Sequence, residues 1–216
     1  MRKENKRNFY IAIFSLLTFI LWTVLVYFVD VKQVGPNHSS VGFATINSFF
    51  HKLTGVNMTL YTITDWLGLV PFAVALGFAI LGLIQLIKRK NIMKVDYNIL
   101  ILGVFYIVVF ALYLLFEIVV INYRPVLING YLEASYPSST TMLVLSVMPT
   151  AIIQLKPRIK NIFLRNTVII AISIFTIFMV IGRLISGVHW ISDIIGGAFL
   201  SAGLVMMYYF LVKIKE

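Results

Sequence analysis

The chain has 216 residues, 60% of them hydrophobic and only 12% charged, with a formal net charge of +10. Soluble domains run about 45–50% apolar and about 25% charged, so the composition excludes a soluble enzyme, a disordered chain and an ordinary DNA-binding domain. No cysteine is present, which removes disulfides, thiolate metal sites and cysteine nucleophiles.

A bilayer core takes roughly 20 apolar residues as a helix. Six stretches meet or approach that length, at about 9–29, 66–87, 98–121, 140–155, 167–182 and 190–212. They predict an all-α, six-span transmembrane helix bundle forming a single membrane domain over 1–216. Residues 1–97 hold the first two spans and a long outer loop, and 98–216 hold the other four. The fourth and fifth runs are short, and they are read as spans because basic loops and polar clusters punctuate them. The first run exceeds a usual signal-peptide core and no small-residue cleavage site follows it, which predicts a retained anchor.

Lysine and arginine set the orientation. Arg2, Lys3, Lys6 and Arg7 precede span one, and Lys88, Arg89, Lys90 and Lys94 separate spans two and three. Lys156, Arg158, Lys160 and Arg165 separate spans four and five, and Lys213 and Lys215 follow span six. These are fourteen of the 18 basic residues, and six crossings put all four groups on one side. That side is expected to be cytoplasmic, with both termini there. Contact with anionic lipid accounts for the charge; the expected surroundings are the lipid bilayer, and no nucleic-acid partner is needed. In the outer loop, about Asp30 to Asp65, Ser40 to Leu53 carries Phe43, Ile46, Phe49, Phe50 and Leu53 among polar residues. This predicts a helix capped by Ser39 or Ser40, either lying in the membrane interface or packing as a loop helix on the bundle.

Of the four remaining basic residues, the two arginines, Arg124 and Arg183, fall at outer span ends, where the orientation rule disfavours them. Three polar clusters gather at that level. Asn122-Tyr123-Arg124-Pro125 closes span three, and Tyr136-Pro137-Ser138-Ser139-Thr140-Thr141 opens span four. Gly182-Arg183 closes span five, followed by His189 and Asp193 at the start of span six. Two guanidiniums offer donor forks that match phosphate oxygens. A helix start with serines supplies backbone N–H groups and hydroxyls for an anion. His189 and Asp193 lie one helical turn apart, so the carboxylate can orient the ring and leave its other nitrogen to attack phosphorus. Singly, each residue has an ordinary structural reading; together, at one end of a six-span bundle, they point to a phosphate site.

These residues resemble the motifs of the type 2 phosphatidic acid phosphatase family of membrane lipid phosphatases: K-x6-R-P, P-S-G-H and S-R-x5-H-x3-D. Arg124-Pro125 matches the end of the first, Pro137-Ser138-Ser139-Thr140 falls at the second, and Gly182-Arg183, His189 and Asp193 fit the third with its spacing. The resemblance implies that His189 is the nucleophile and that Asp193 orients it. It also implies that Arg124, Arg183, Ser138 and the backbone near Ser139 hold the phosphate, with no metal and no cofactor. The expected site faces the extracytoplasmic side of a multi-pass cell-membrane protein.

The departures are specific. Glu117 stands at the first-motif lysine, Gly182 at the serine and Ser139 at the glycine. Thr140 replaces the second-motif histidine, which in the family protonates the leaving group; threonine is no acid near neutral pH. Three readings follow: a silent relative that binds lipid phosphate, a proton donor elsewhere (Tyr123, Glu133, His38 or His51), or a substrate that needs no donor. A lipid pyrophosphate is of the last kind, since its leaving group is already a stable anion, and polyprenyl pyrophosphate is one candidate. The leading expectation is metal-independent hydrolysis of a lipid phosphate or pyrophosphate through a phosphohistidine. A transporter is disfavoured, because the polar groups gather at one end rather than at mid-membrane. The oligomeric state is not fixed by the sequence.

Overall fold

The computed structural model describes residues 3–215, in which eight α-helices follow one another: α1 (Lys3–Phe28), α2 (Ala44–Thr54), α3 (Met58–Leu67), α4 (Leu69–Arg89), α5 (Tyr97–Ile118), α6 (Ser139–Arg158), α7 (Ile162–Ile185) and α8 (Ile191–Ile214). Among the described residues no strand forms, only isolated β-bridges. Six helical stretches are long and apolar enough to cross a bilayer, with α3 and α4 counting as one. Arg2, part of the first basic group, lies outside the described residues.

α6 is the central helix. It packs on α4, α5, α7 and α8, while α1 lies along α8. The sequence makes α6 look short because Ser146, Thr150 and Gln154 interrupt its apolar run, yet it is 20 residues long. These three residues are spaced one turn apart and are buried. Ser146 Oγ donates to Ser201 Oγ (3.2 Å), Thr150 Oγ1 lies 3.3 Å from Tyr106 Oη, and Gln154 bonds the hydroxyl of Tyr208. The stripe therefore joins α6 to α5 and α8, as interhelical polar pairs do where lipid offers no hydrogen-bond partner. α7 is likewise longer than its apolar run, at 24 residues.

Span two starts earlier than its hydropathy suggests. Asn57 caps α3 by accepting the Leu60 N–H at 2.9 Å. α3 then ends at Gly68, whose N–H donates to the carbonyls of Thr64 and Asp65, both at 3.0 Å. Asp65 thus belongs to a helix and not to the end of a loop. The stretch Met58–Arg89 is 32 residues, or roughly 48 Å at 1.5 Å per residue, longer than a bilayer core. α3 is the N-terminal part of that length, at the end away from the basic Lys88–Lys94 segment.

The segment between α1 and α3 also corrects one expectation. α2 begins at Ala44, its N-cap is Phe43 in the left-handed region (φ 49°), and neither Ser39 nor Ser40 caps it. Asp30 takes over instead, accepting the Thr45 N–H. The amphipathic pattern holds: Ile46, Phe49 and Leu53 are exposed while Asn47 is fully buried. Asn47 Nδ2 donates to Gly42 O (2.7 Å) and to Ser192 Oγ (2.9 Å), fixing the loop on the start of α8. Close by, Gly187 has φ +67°, and a Cβ there would stand 1.8 Å from the Gly55 carbonyl oxygen. Only glycine lets the α7–α8 turn pass under this loop.

Candidate active site

Between α5 and α6 the chain folds into a short hairpin. Asn129 and Gly130 both have positive φ, 50° and 83°, as a two-residue type I′ turn requires. Arg124 N donates to Glu133 O (3.0 Å) and Ser135 N to Asn122 O (2.9 Å). The hairpin therefore sets Arg124 opposite Glu133 and carries Ser135 back toward α8.

Asp193 sits in the first turn of α8, fully buried, and accepts the Trp190 N–H at 2.9 Å. Its Oδ2 lies 3.8 Å from His189 Nδ1. Ser135 stands between them: its hydroxyl donates to Asp193 Oδ2 and lies 3.4 Å from His189 Nδ1. The one-turn spacing does bring the pair together, but a serine from the hairpin completes the link. On the ring's other side, Nε2 lies 3.2 Å from Arg124 Nη1. Burial, then the charges of Arg124 and Arg183, hold the His189 pKa well below its usual value, opposed by a hydrogen bond to the Ser135 backbone. The ring is consequently neutral near pH 7, and a neutral ring keeps the lone pair that nucleophilic attack requires.

Arg183 is buried near the end of α7, with Nη1 3.4 Å from Thr64 Oγ1 and Nη2 3.3 Å from Asp65 Oδ1. Its guanidinium lies 4.9 Å from the centre of the Tyr61 ring, and that of Arg124 lies 6.0 Å from the same ring. Glu133 Oε2 stands 3.0 Å from Arg124 Nε, a charge contact off the N–H direction. The Nε atoms of both arginines are buried without a hydrogen-bond partner. Two cations over one ring, each with spare donors, suit an anion.

Both arginines line a cavity of about 710 Å³, together with Tyr123, Ser139 and Thr140. In the first turn of α6 the backbone N–H groups have no intrahelical acceptor, so Ser139 and Thr140 bring donors to this wall. Ser138 does not join them: it is fully buried, its N–H donates to the Asp193 carbonyl (3.0 Å) and its hydroxyl accepts from Thr141 (3.0 Å). His189 and Asp193 lie behind Arg124 rather than on the cavity wall. His38 and His51 also miss the wall, and His51 packs against the Trp190 ring.

The sequence profile of the PAP2 superfamily matches residues 100–215. The chain belongs to the PAP2 superfamily. A solved PAP2-type phosphatidylglycerolphosphate phosphatase from Bacillus subtilis has a similar fold, with a TM-score of 0.61 and 20% identity over 96% of this chain and 98% of that one. No curated protein matches the sequence.

Within this PAP2 chain, one departure from the motifs has a packing reason. At Gly182 a Cβ would meet Thr64 Cγ2 at 2.8 Å, so glycine rather than serine lets α3 close on α7. That closure delivers Tyr61, Thr64 and Asp65 to the arginines. Sequence reading missed all three, and Ser135 as well. The one available signal was an isolated carboxylate, Asp65, set against a long apolar run.

Proposed function

We propose that this PAP2 protein is an integral membrane phosphatase that hydrolyses a lipid phosphate or pyrophosphate through a phosphohistidine on His189. The observation that carries the reading is the buried imidazole held between Asp193 with Ser135 on one side and Arg124 at the cavity on the other. Arg124 shifts from Nε2 onto a phosphate oxygen as substrate enters. Arg183 and the first-turn N–H groups at Ser139 and Thr140 take the other oxygens, and Nε2 attacks phosphorus. Asp193 stabilises the positive ring that forms, and fixed donors stabilise the charge on the transferring group. A lipid substrate fits a second feature: the cavity shares Phe72 with an apolar groove of about 700 Å³ between α4 and α5, a lining that suits a hydrocarbon chain.

No metal takes part in this scheme. Among the described residues no three His, Asp or Glu side chains gather as ligands, whereas metal-assisted transfer calls for such oxygen or nitrogen donors. Purified protein is expected to release phosphate from phosphatidic acid or diacylglycerol pyrophosphate at an undiminished rate in EDTA. A requirement for added Mg²⁺ or Zn²⁺ would contradict this. The competing reading, a lipid-phosphate binder without turnover, draws on Arg124 covering Nε2. Tight binding of both lipids without phosphate release would favour it.

The cavity is assigned to the extracytoplasmic side, because the basic segments between α4 and α5, between α6 and α7, and after α8 lie at the opposite helix ends and the positive-inside rule applies to them. The absence of cysteine makes the test clean. Lys90→Cys and Tyr131→Cys are expected to react with an impermeant thiol reagent from opposite sides, Tyr131→Cys from outside. Labelling of both from one side would overturn the assignment.

A further inference from the structure

The geometry points to Asp65 as the acid that protonates the departing lipid oxygen, a role that rests on the phosphatase reading above. Attack by His189 on a lipid monophosphate expels an alkoxide, and Thr140 has no acidic proton to give it. Two carboxylates on the cavity wall are each paired with an arginine: Glu133 with Arg124 and Asp65 with Arg183. Glu117, the third cavity carboxylate, makes no ion pair with either arginine among the described residues.

In-line transfer decides between the two. The entering and leaving atoms lie roughly opposite one another across phosphorus. Glu133 is tied to the entering side, because the guanidinium it contacts is the one 3.2 Å from His189 Nε2. Asp65 reaches the cavity from a different element, α3, and holds the other guanidinium at 3.3 Å. It lies one turn before Gly68, where a Cβ would come 3.5 Å from Thr140 Cγ2. Gly68 thus packs beside Thr140, and Asp65 and Thr140 line the same cavity. Its side chain is 55% exposed, so it is free to turn from Arg183 toward a bound ester.

The step balances without another reactant. The lipid phosphate enters as its monoanion, displaces Asp65 from Arg183 and passes its proton to the carboxylate. The His189 Nε2–P bond forms and the P–O bond to the lipid breaks, its electron pair staying on oxygen. That oxygen takes the proton from Asp65, the lipid leaves as an alcohol, and the carboxylate returns to Arg183.

Single-turnover release of the lipid product, with enzyme in excess, isolates this step. The substrates are phosphatidic acid, whose leaving group is an alkoxide, and diacylglycerol pyrophosphate of the same chains, whose leaving group is a phosphate monoester needing no acid. Asp65→Asn keeps the shape and a hydrogen bond to Arg183. It is expected to slow the phosphatidic acid step by about 10²–10⁴-fold, as loss of a general acid does, and the pyrophosphate step by less than about tenfold. Glu133→Gln, which acts only through Arg124, is expected to slow both steps alike. Equal loss on both substrates in Asp65→Asn, no loss on either, or selectivity in Glu133→Gln instead would overturn the assignment while leaving the phosphatase reading intact. A wild type that released no product from either lipid would overturn both.

Discussion

His189→Ala is expected to abolish turnover of every lipid phosphate, by at least about 10³-fold, while the protein keeps its fold. The scale follows from losing the nucleophile itself, so that only binding and the phosphate-stabilising donors still act. The variant removes a buried ring whose partners are Arg124, Ser135 and Asp193. Asp193 keeps its bonds from Trp190 N and Ser135 Oγ, so the start of α8 remains capped, and a melting curve in detergent close to that of the wild type is the control. Asp193→Asn is expected to be severely impaired as well, because it removes the charge that stabilises a positive ring. Hydrolysis by His189→Ala within about tenfold of wild type would mean that another residue attacks phosphorus.

The second large effect is expected at Arg183. Lysine there keeps the charge but loses the planar fork that reaches Thr64 and Asp65 and stacks over Tyr61. Removing one fixed donor to a transition-state oxyanion costs about 10²–10³-fold in rate, and Arg183→Lys is expected to lose that much in kcat with a smaller change in KM. Folding is the lesser concern, since Asp65 is half exposed and is not stranded as a buried charge. Vanadate, which mimics phosphate in transfer, is expected to inhibit the variant more weakly. Activity within about threefold of wild type would show that the fork makes no contact specific to the transition state.

The parts of this protein that the sequence made legible are those in which one residue carries the signal. Apolar runs marked the number of spans, and the spacing from Arg183 through His189 to Asp193 picked out three residues of the candidate site. The misread parts depend on what packs against what. α6 looked too short because Ser146, Thr150 and Gln154 are polar, and only their burial against α5 and α8 shows that they face protein rather than lipid. Ser138 sits in a motif position, yet the approach of the Asp193 carbonyl takes its N–H and leaves Ser139 and Thr140 at the cavity. Ser135 belongs to no helix, and its place between His189 and Asp193 comes from a hairpin whose Asn129-Gly130 turn is visible in the sequence but whose docking is not. Asp65 reads as the end of a loop until α3 is seen to run on to Gly68.

The central claim is a covalent bond between phosphorus and His189 Nε2, and trapping that bond tests it most directly. Protein quenched in alkali during turnover of a lipid phosphate labelled in the transferable phosphoryl group, then digested and mapped, is expected to carry acid-labile, alkali-stable label on the peptide containing His189. Asp65→Asn given the labelled pyrophosphate is expected to carry it too, whereas His189→Ala carries none. Sustained turnover with no label on the protein, or with label on any other residue, would contradict the account.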